Sequence, residues 1–152
     1  MEGSMIKFKI VTPDGIIHDD VVDQVSIPTT MGQITVLPNH IPLISVLTAG
    51  ELIIKKGEEV TNLAVSSGVI EVRPGSELYI VADTAERAEQ IDIARAEAAR
   101  QRAEELMKQQ QIADVDYARI QAKLEKELAR VRVGKKYRKF GPGLMIKSET
   151  TE

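Results

Sequence analysis

Val81-Ala82-Asp83-Thr84-Ala85-Glu86 marks the point where the chain changes character. From Thr84 to Val133 there is no Gly and no Pro, and the strong helix formers Ala, Glu, Gln, Arg and Lys dominate. Ahead of that point, short apolar runs are punctuated by turn residues. Ile6 to Ile10 alternates with period two and is followed by Pro13-Asp14-Gly15. Similar runs cover 16–28, 33–37, 50–54, 60–65, 69–72 and 78–81, with Lys56-Gly57-Glu58 and Arg73-Pro74-Gly75-Ser76 as turns. Many short strands with no helix between them predict an antiparallel β-sandwich or flattened barrel, and no parallel sheet. The fold class is therefore α+β in two parts, an N-terminal antiparallel β-sandwich followed by a C-terminal antiparallel two-helix hairpin. The expected boundaries are 5–84 for the sandwich, 85–133 for the hairpin and 134–152 for a basic, polar and disordered tail.

Within the helical half, Asp83 or Thr84 is the expected N-cap of the first helix, with Glu86, Glu89 and Asp92 at its electropositive end. Gln109 to Asp114 reads as the break, and Asp114 as the N-cap of a second helix that Gly134 ends. On the second helix Ile120, Leu124, Leu128 and Val131 form an apolar stripe. The first helix answers with Ile91, Ala94, Ala98, Ala99, Ala103 and Leu106. So thin a seam buries little area, and predicts a hairpin that can come away from its support.

The 152 residues include no Cys and no Trp, which excludes disulfides, thiolate metal sites and thiol catalysis. Five aromatic residues are too few for nucleic-acid stacking platforms. No apolar run reaches membrane-spanning length, and no charged-then-apolar leader opens the sequence. Charge is divided by the same boundary: residues 1–83 hold five basic and eleven acidic side chains, and residues 84–152 hold fifteen and twelve. Arg130, Arg132, Lys135, Lys136, Arg138 and Lys139 fall within ten positions that contain no acid. That cluster suits either a solvated terminus or an arm that docks on an acidic protein surface.

Catalytic chemistry is poorly represented. His18 and His40 have no carboxylate partners at metal-ligand spacing, and no phosphate-binding glycine loop or nucleophile elbow occurs. No catalytic residue and no metal site are expected. One polar constellation rises above this background. Asp92, Arg95 and Arg102 share one face of the first helix, and Arg119, Lys123, Lys126 and Arg130 form a basic stripe on the second. A fold-back centred near residue 112 sets Arg95 opposite residues 128–130 and Arg102 opposite 121–123. Cations converging from two helices call for an anion between them, unless intrahelical pairs such as Glu127 with Lys123 satisfy them.

Three blocks carry a resemblance. They are Gly32-Gln33-Ile34-Thr35-Val36-Leu37-Pro38-Asn39-His40-Ile41-Pro42-Leu43, Ser67 to Gly75 followed by Val81 to Glu86, and Ile91-Asp92-Ile93-Ala94-Arg95-Ala96. In this order they resemble the epsilon-subunit family of F-type ATP synthases, from Met5 to about Val133. The resemblance implies a non-catalytic rotor subunit of the central stalk, with the gamma subunit, the c-ring and the beta subunit as partners. It would be peripheral on the cytoplasmic face of a bacterial plasma membrane, in a complex that makes ATP from a proton gradient.

The same resemblance places Gly32, Gln33, Pro38, His40, Pro42 and Leu43 at the gamma and c-ring interface. It gives Lys123, Lys126, Arg130 and Arg132 to an arm that extends along gamma and impedes ATP hydrolysis. No cofactor is required. Some bacterial members bind ATP, with Mg, as a regulatory ligand, and the positions carried over are Glu86, Ile91, Asp92, Arg95, Ala96, Arg102, Lys126 and Arg130. Lys126 stands where those members have Arg, which keeps the charge and loses the planar fork. A free-standing ATP-sensing module is the alternative from another functional class.

Overall fold

A computed structural model describes residues 4–109 and 112–142. Ten strands form the first part: β1 (Ile6–Thr12), β2 (Gly15–Val22), β3 (Gln24–Thr29), β4 (Gly32–Val36), β5 (Leu43–Leu47), β6 (Gly50–Lys56), β7 (Glu59–Val65), β8 (Gly68–Arg73), β9 (Glu77–Ala82) and β10 (Ala85–Arg87). A 3-10 turn at Ala88–Gln90 leads to α1 (Ile93–Met107) and α2 (Asp114–Phe140).

The strands run in the order β10-β7-β6-β3-β5-β8-β9-β1-β2, with β4 also on β3. β3 and β5 share only the pair Thr29 with Leu47, and there the sheet folds over into two layers. At the other edge Lys56 of β6 pairs with Asp20 of β2 at 2.8 Å, and the Asp23 amide donates to the Lys55 carbonyl at 2.9 Å. The result is the expected sandwich, close to a closed barrel. Pairing is antiparallel except between β1 and β9, whose strands run parallel in register from Lys7 with Glu77 to Val11 with Val81. Phe8, Ile10, Ile27, Leu52, Ile54, Leu63, Ile70, Leu78 and Ile80 fill the space between the layers and are all but inaccessible to water.

Two strands escaped the sequence pattern. Along β5 the inward Leu43 and Leu47 alternate with Ile44 and Val46, which are 76% and 52% exposed, so both faces are apolar and no clean period of two appears. β10 sits in the Ala- and Glu-rich stretch that composition assigned to helix, and is held by pairing with β7.

The helices therefore begin later than expected. Asp92, rather than Asp83 or Thr84, caps α1, its carboxylate accepting from the Arg95 amide at 3.1 Å. Asp114 lies in the first turn of α2, whose N-cap is Ala113. Residues 110 and 111 of the expected turn lie outside the described residues. The buried seam also differs. α1 buries Ile93, Ala96, Ala99 and Ala103, while Ala94, Ala98 and Leu106 face water. On α2 the buried positions are Glu127, Ala129, Val131, Val133 and Gly134, and Leu128 is 37% exposed. The thin alanine seam puts the helices close together, and the sandwich then takes the α2 face that includes Val133.

Gly134 does not end α2, which continues to Phe140, so residues 134–140 of the expected tail are helical. A Cβ at Gly134 would stand 2.9 Å from Ile93 Cγ1 and 3.2 Å from Ile91 Cγ2. The glycine is a notch for close approach, and packing overrides its poor helix propensity. Residues 143–152 of that tail lie outside the described residues.

Candidate functional site

α2 lies against β6 and β7, so the hairpin covers one layer of the sandwich. The core between the layers does not extend into it. Instead Ala64, Ala88, Ile91, Ile93 and Val133 make a second, smaller cluster, with Tyr137 packed against it. Beside this cluster opens a cleft of about 620 Å³, bounded by Ala64, Val65, Thr84, Ala85 and Glu86 of the sandwich end. Gln90, Asp92, Arg95, Ala99 and Arg102 line it from the α1 side, and Lys123, Lys126, Glu127 and Arg130 from α2.

Five cations thus converge with three carboxylates, as the fold-back geometry predicted for Arg95 and Arg102. Arg130 is the most constrained. Its Nε donates to Glu86 Oε2 at 2.7 Å, its second nitrogen to Glu86 Oε1 at 3.3 Å, and its first to Glu127 Oε2 at 2.9 Å. The hydrogen bond that the guanidinium donates to Glu86 is the main reason it holds its proton even more strongly than usual. Glu127 is 4% exposed and pairs with Arg130, not with Lys123. Its charge is acceptable there because Arg130 neutralises it.

Of the eight positions carried over for ATP, Glu86, Asp92, Arg95, Arg102, Lys126 and Arg130 line the cleft. Ile91 and Ala96 do not: they are 5% and 0% exposed, packed in the seam beneath it. Asp92 serves as the α1 cap. The cleft has the size of ordinary ligand pockets. Its excess of cations, drawn from both helices, suits a polyanion such as a nucleotide triphosphate. In the second helix Lys123, Lys126 and Arg130 face the cleft, whereas Arg132 faces water. Sequence reasoning did not single out Gln90 and Thr84 in the lining, which follow from β10 and the 3-10 turn.

The other six carried-over positions lie on the sandwich, and β4 divides them. Gly32 and Gln33 are exposed at its start. Pro38, His40 and Pro42 lie on the connection past its far end, where the Asn39 amide donates to Ser76 Oγ at 2.8 Å. Five residues of strand span roughly 16 Å, so the two groups are separate. Leu43 turns inward onto the core.

Near them is a feature that the sequence did not disclose. The ladder aligns Val46, Val69, Val81, Val11 and Ile16 in one row across five strands. Val46, Val69, Val81 and Ile16 are each more than half exposed. This row belongs to the layer that the hairpin does not cover. An apolar row of that length on an open sheet face is the kind of surface that a protein partner can cover.

Residues 5–88 match the family model for the ATP synthase delta/epsilon chain β-sandwich domain, and residues 89–135 match its long α-helix domain. The chain belongs to the ATP synthase delta/epsilon chain family. Its relatives include the ATP synthase epsilon chain of Halalkalibacterium halodurans, 40% identical over 82% of this chain and 92% of that one. Another is the ATP synthase epsilon chain of Dehalococcoides mccartyi, 42% identical over 88% of this chain and 95% of that one. Epsilon chains are non-catalytic, central-stalk components of ATP synthase.

The fold recurs in a chain of the Euglena gracilis mitochondrial ATP synthase structure of OSCP, F1 and c-ring, with a TM-score of 0.71 at 21% identity. That likeness covers 83% of this chain and 79% of that chain. Among the described residues no helix is long and apolar enough to cross a membrane.

Proposed function

We propose that this chain couples gamma to the c-ring in the rotor of a proton-driven ATP synthase, and that its hairpin restrains ATP hydrolysis when it extends. The observation that carries this reading is the division of the sandwich into two outer faces. One bears the hairpin, laid on β6 and β7; the other bears the exposed row Val46-Val69-Val81. The apolar row is the gamma surface. Gly32 and Gln33 at one end of β4, and Pro38, His40 and Pro42 past the other, are the contacts that reach toward gamma and the ring. The beta subunit receives Lys123, Lys126, Arg130 and Arg132 of the extended arm. The site of action is then the cytoplasmic face of a bacterial plasma membrane.

MgATP in the cationic cleft favours the compact hairpin, because the cleft needs α1, α2 and β10 together. A ligand with no affinity for the extended form shifts the equilibrium toward the folded one. Arg95, Arg102 and Lys126 hold the phosphates, and Glu86 must share Arg130 with them.

Capture of a bacterial gamma subunit by the full chain tests the coupling role. Retention by the native chain and loss with Val69→Lys is the expected pair of results. A native chain that binds ATP and captures no gamma would point instead to the free-standing sensor.

A further inference from the structure

We infer that the last turns of α2, from Gly134 to Phe140, form a latch that holds the hairpin down on the sandwich. This rests on the reading of the hairpin as extendable. The family model ends its match at residue 135, yet α2 continues without a break to Phe140. Gly134 and that continuation add to the contacts that Arg130 and Val133 make with the sandwich end.

Three observations converge on it. Gly134 lets α2 sit directly on Ile91 and Ile93, in a space too small for a Cβ. Tyr137, one turn further on, packs against the second cluster, whose members Ala64 and Ala88 belong to β7 and the 3-10 turn. Lys136 donates to Glu51 Oε1 on β6 at 2.5 Å, joining residues 85 apart in sequence. The side chains of that pair are only 20% and 18% exposed, so solvent screens it far less than an ordinary surface pair. Lys135 reaches Glu97 of α1, but at 59% and 36% exposure this bond adds little.

The contacts are of two kinds, and both suit a device that releases. The cluster is small, and the ion pair trades its partner for water when it opens. A hairpin ending at Val133 would keep the Glu86–Arg130 pair and lose Lys136 and Tyr137. The extension therefore biases the chain toward the compact form without any ligand, and the partner that receives the extended arm must overcome it.

The chain has no Cys, so Glu58→Cys and Gln121→Cys give two unique spin-label sites, one in the exposed β6–β7 turn and one on the exposed side of α2. Interspin distances are measured on the full labelled chain. Lys136→Glu is expected to raise the ratio of open to compact hairpin about 5- to 30-fold, and the swap Lys136→Glu with Glu51→Lys to return it. Gly134→Ala is expected to open the hairpin while far-UV helicity holds or rises, since Ala favours helix and only the docking is lost. Unchanged distances in both Lys136→Glu and Gly134→Ala, alongside opening in Arg130→Ala, would overturn the latch and leave the extendable hairpin standing. Compact distances in all three would overturn both.

Discussion

Arg130 of α2 forms a two-point ion pair with Glu86 of β10, through Nε at 2.7 Å and its second nitrogen at 3.3 Å. It joins the last strand of the sandwich to the second helix and forms one wall of the cationic cleft. Because Arg130 also neutralises the buried Glu127, it is structural in the compact state as well as a candidate for anion binding.

Removing it should therefore have two separable effects. Arg130→Ala leaves Glu127 buried without its partner and should weaken hairpin docking by about 2–3 kcal/mol. Glu86→Gln should cost less, about 1 kcal/mol, because Glu86 is 30% exposed and an amide still accepts one bond. Adding Glu127→Gln to Arg130→Ala should recover part of the loss. Native-state hydrogen exchange along α2 measures all three, and a loss in Glu86→Gln equal to that in Arg130→Ala would show that Glu127 is not the costly group.

Arg102 tests the cleft more cleanly, since it faces water and has no structural bond among the described residues. Arg102→Ala should leave thermal stability nearly unchanged and reduce ATP affinity roughly 10-fold, by loss of one charge-assisted bond. Calorimetry with MgATP on the full chain checks this. Asp92→Ala is a poorer probe, because it also removes the α1 cap, worth about 1 kcal/mol.

Gly68 should be nearly irreplaceable. It pairs with Ala82 at the start of β8, and a Cβ there would stand 2.0 Å from the Val81 carbonyl oxygen. The obstacle is backbone, which cannot swing aside, so Gly68→Ala should cost about 3 kcal/mol or more in urea unfolding.

His18 gives the sandwich a pH dependence. Its ring packs on Phe8 at 5.7 Å, and its Nε2 is buried with no hydrogen-bond partner among the described residues. Burial is the main cause that lowers its pKa below 6.5, and Arg87 adds to it against the opposing pull of Asp20, Glu59 and Asp19. The folded state therefore binds this proton less readily than the unfolded chain. Its contribution to stability is complete above about 6.5 and declines as pH falls through that value toward the folded pKa. His18→Gln should flatten the stability profile in that window, as read by thermal unfolding across pH.

In the assembled complex, deleting residues 115–152 should raise ATP hydrolysis while assembly is kept. Unchanged hydrolysis would count against the arm as a restraint.

The sequence by itself determined the two-part architecture, because strand periodicity and helix-forming composition are local and meet at one junction near Thr84. It also brought Arg95, Arg102, Lys123, Lys126 and Arg130 toward one side, since helical spacing and a fold-back suffice for that. Tertiary structure alone decided the rest. β10 is a strand because β7 offers it an edge, against its own composition. Gly134 continues a helix because Ile91 and Ile93 press where a side chain would be, although a glycine after such a run ordinarily ends one. The row from Val46 to Ile16 exists only through the register of five strands, and Arg130 finds Glu86 across 44 residues. Contacts between residues far apart in the chain follow from how the layers fold over, and no local pattern encodes them.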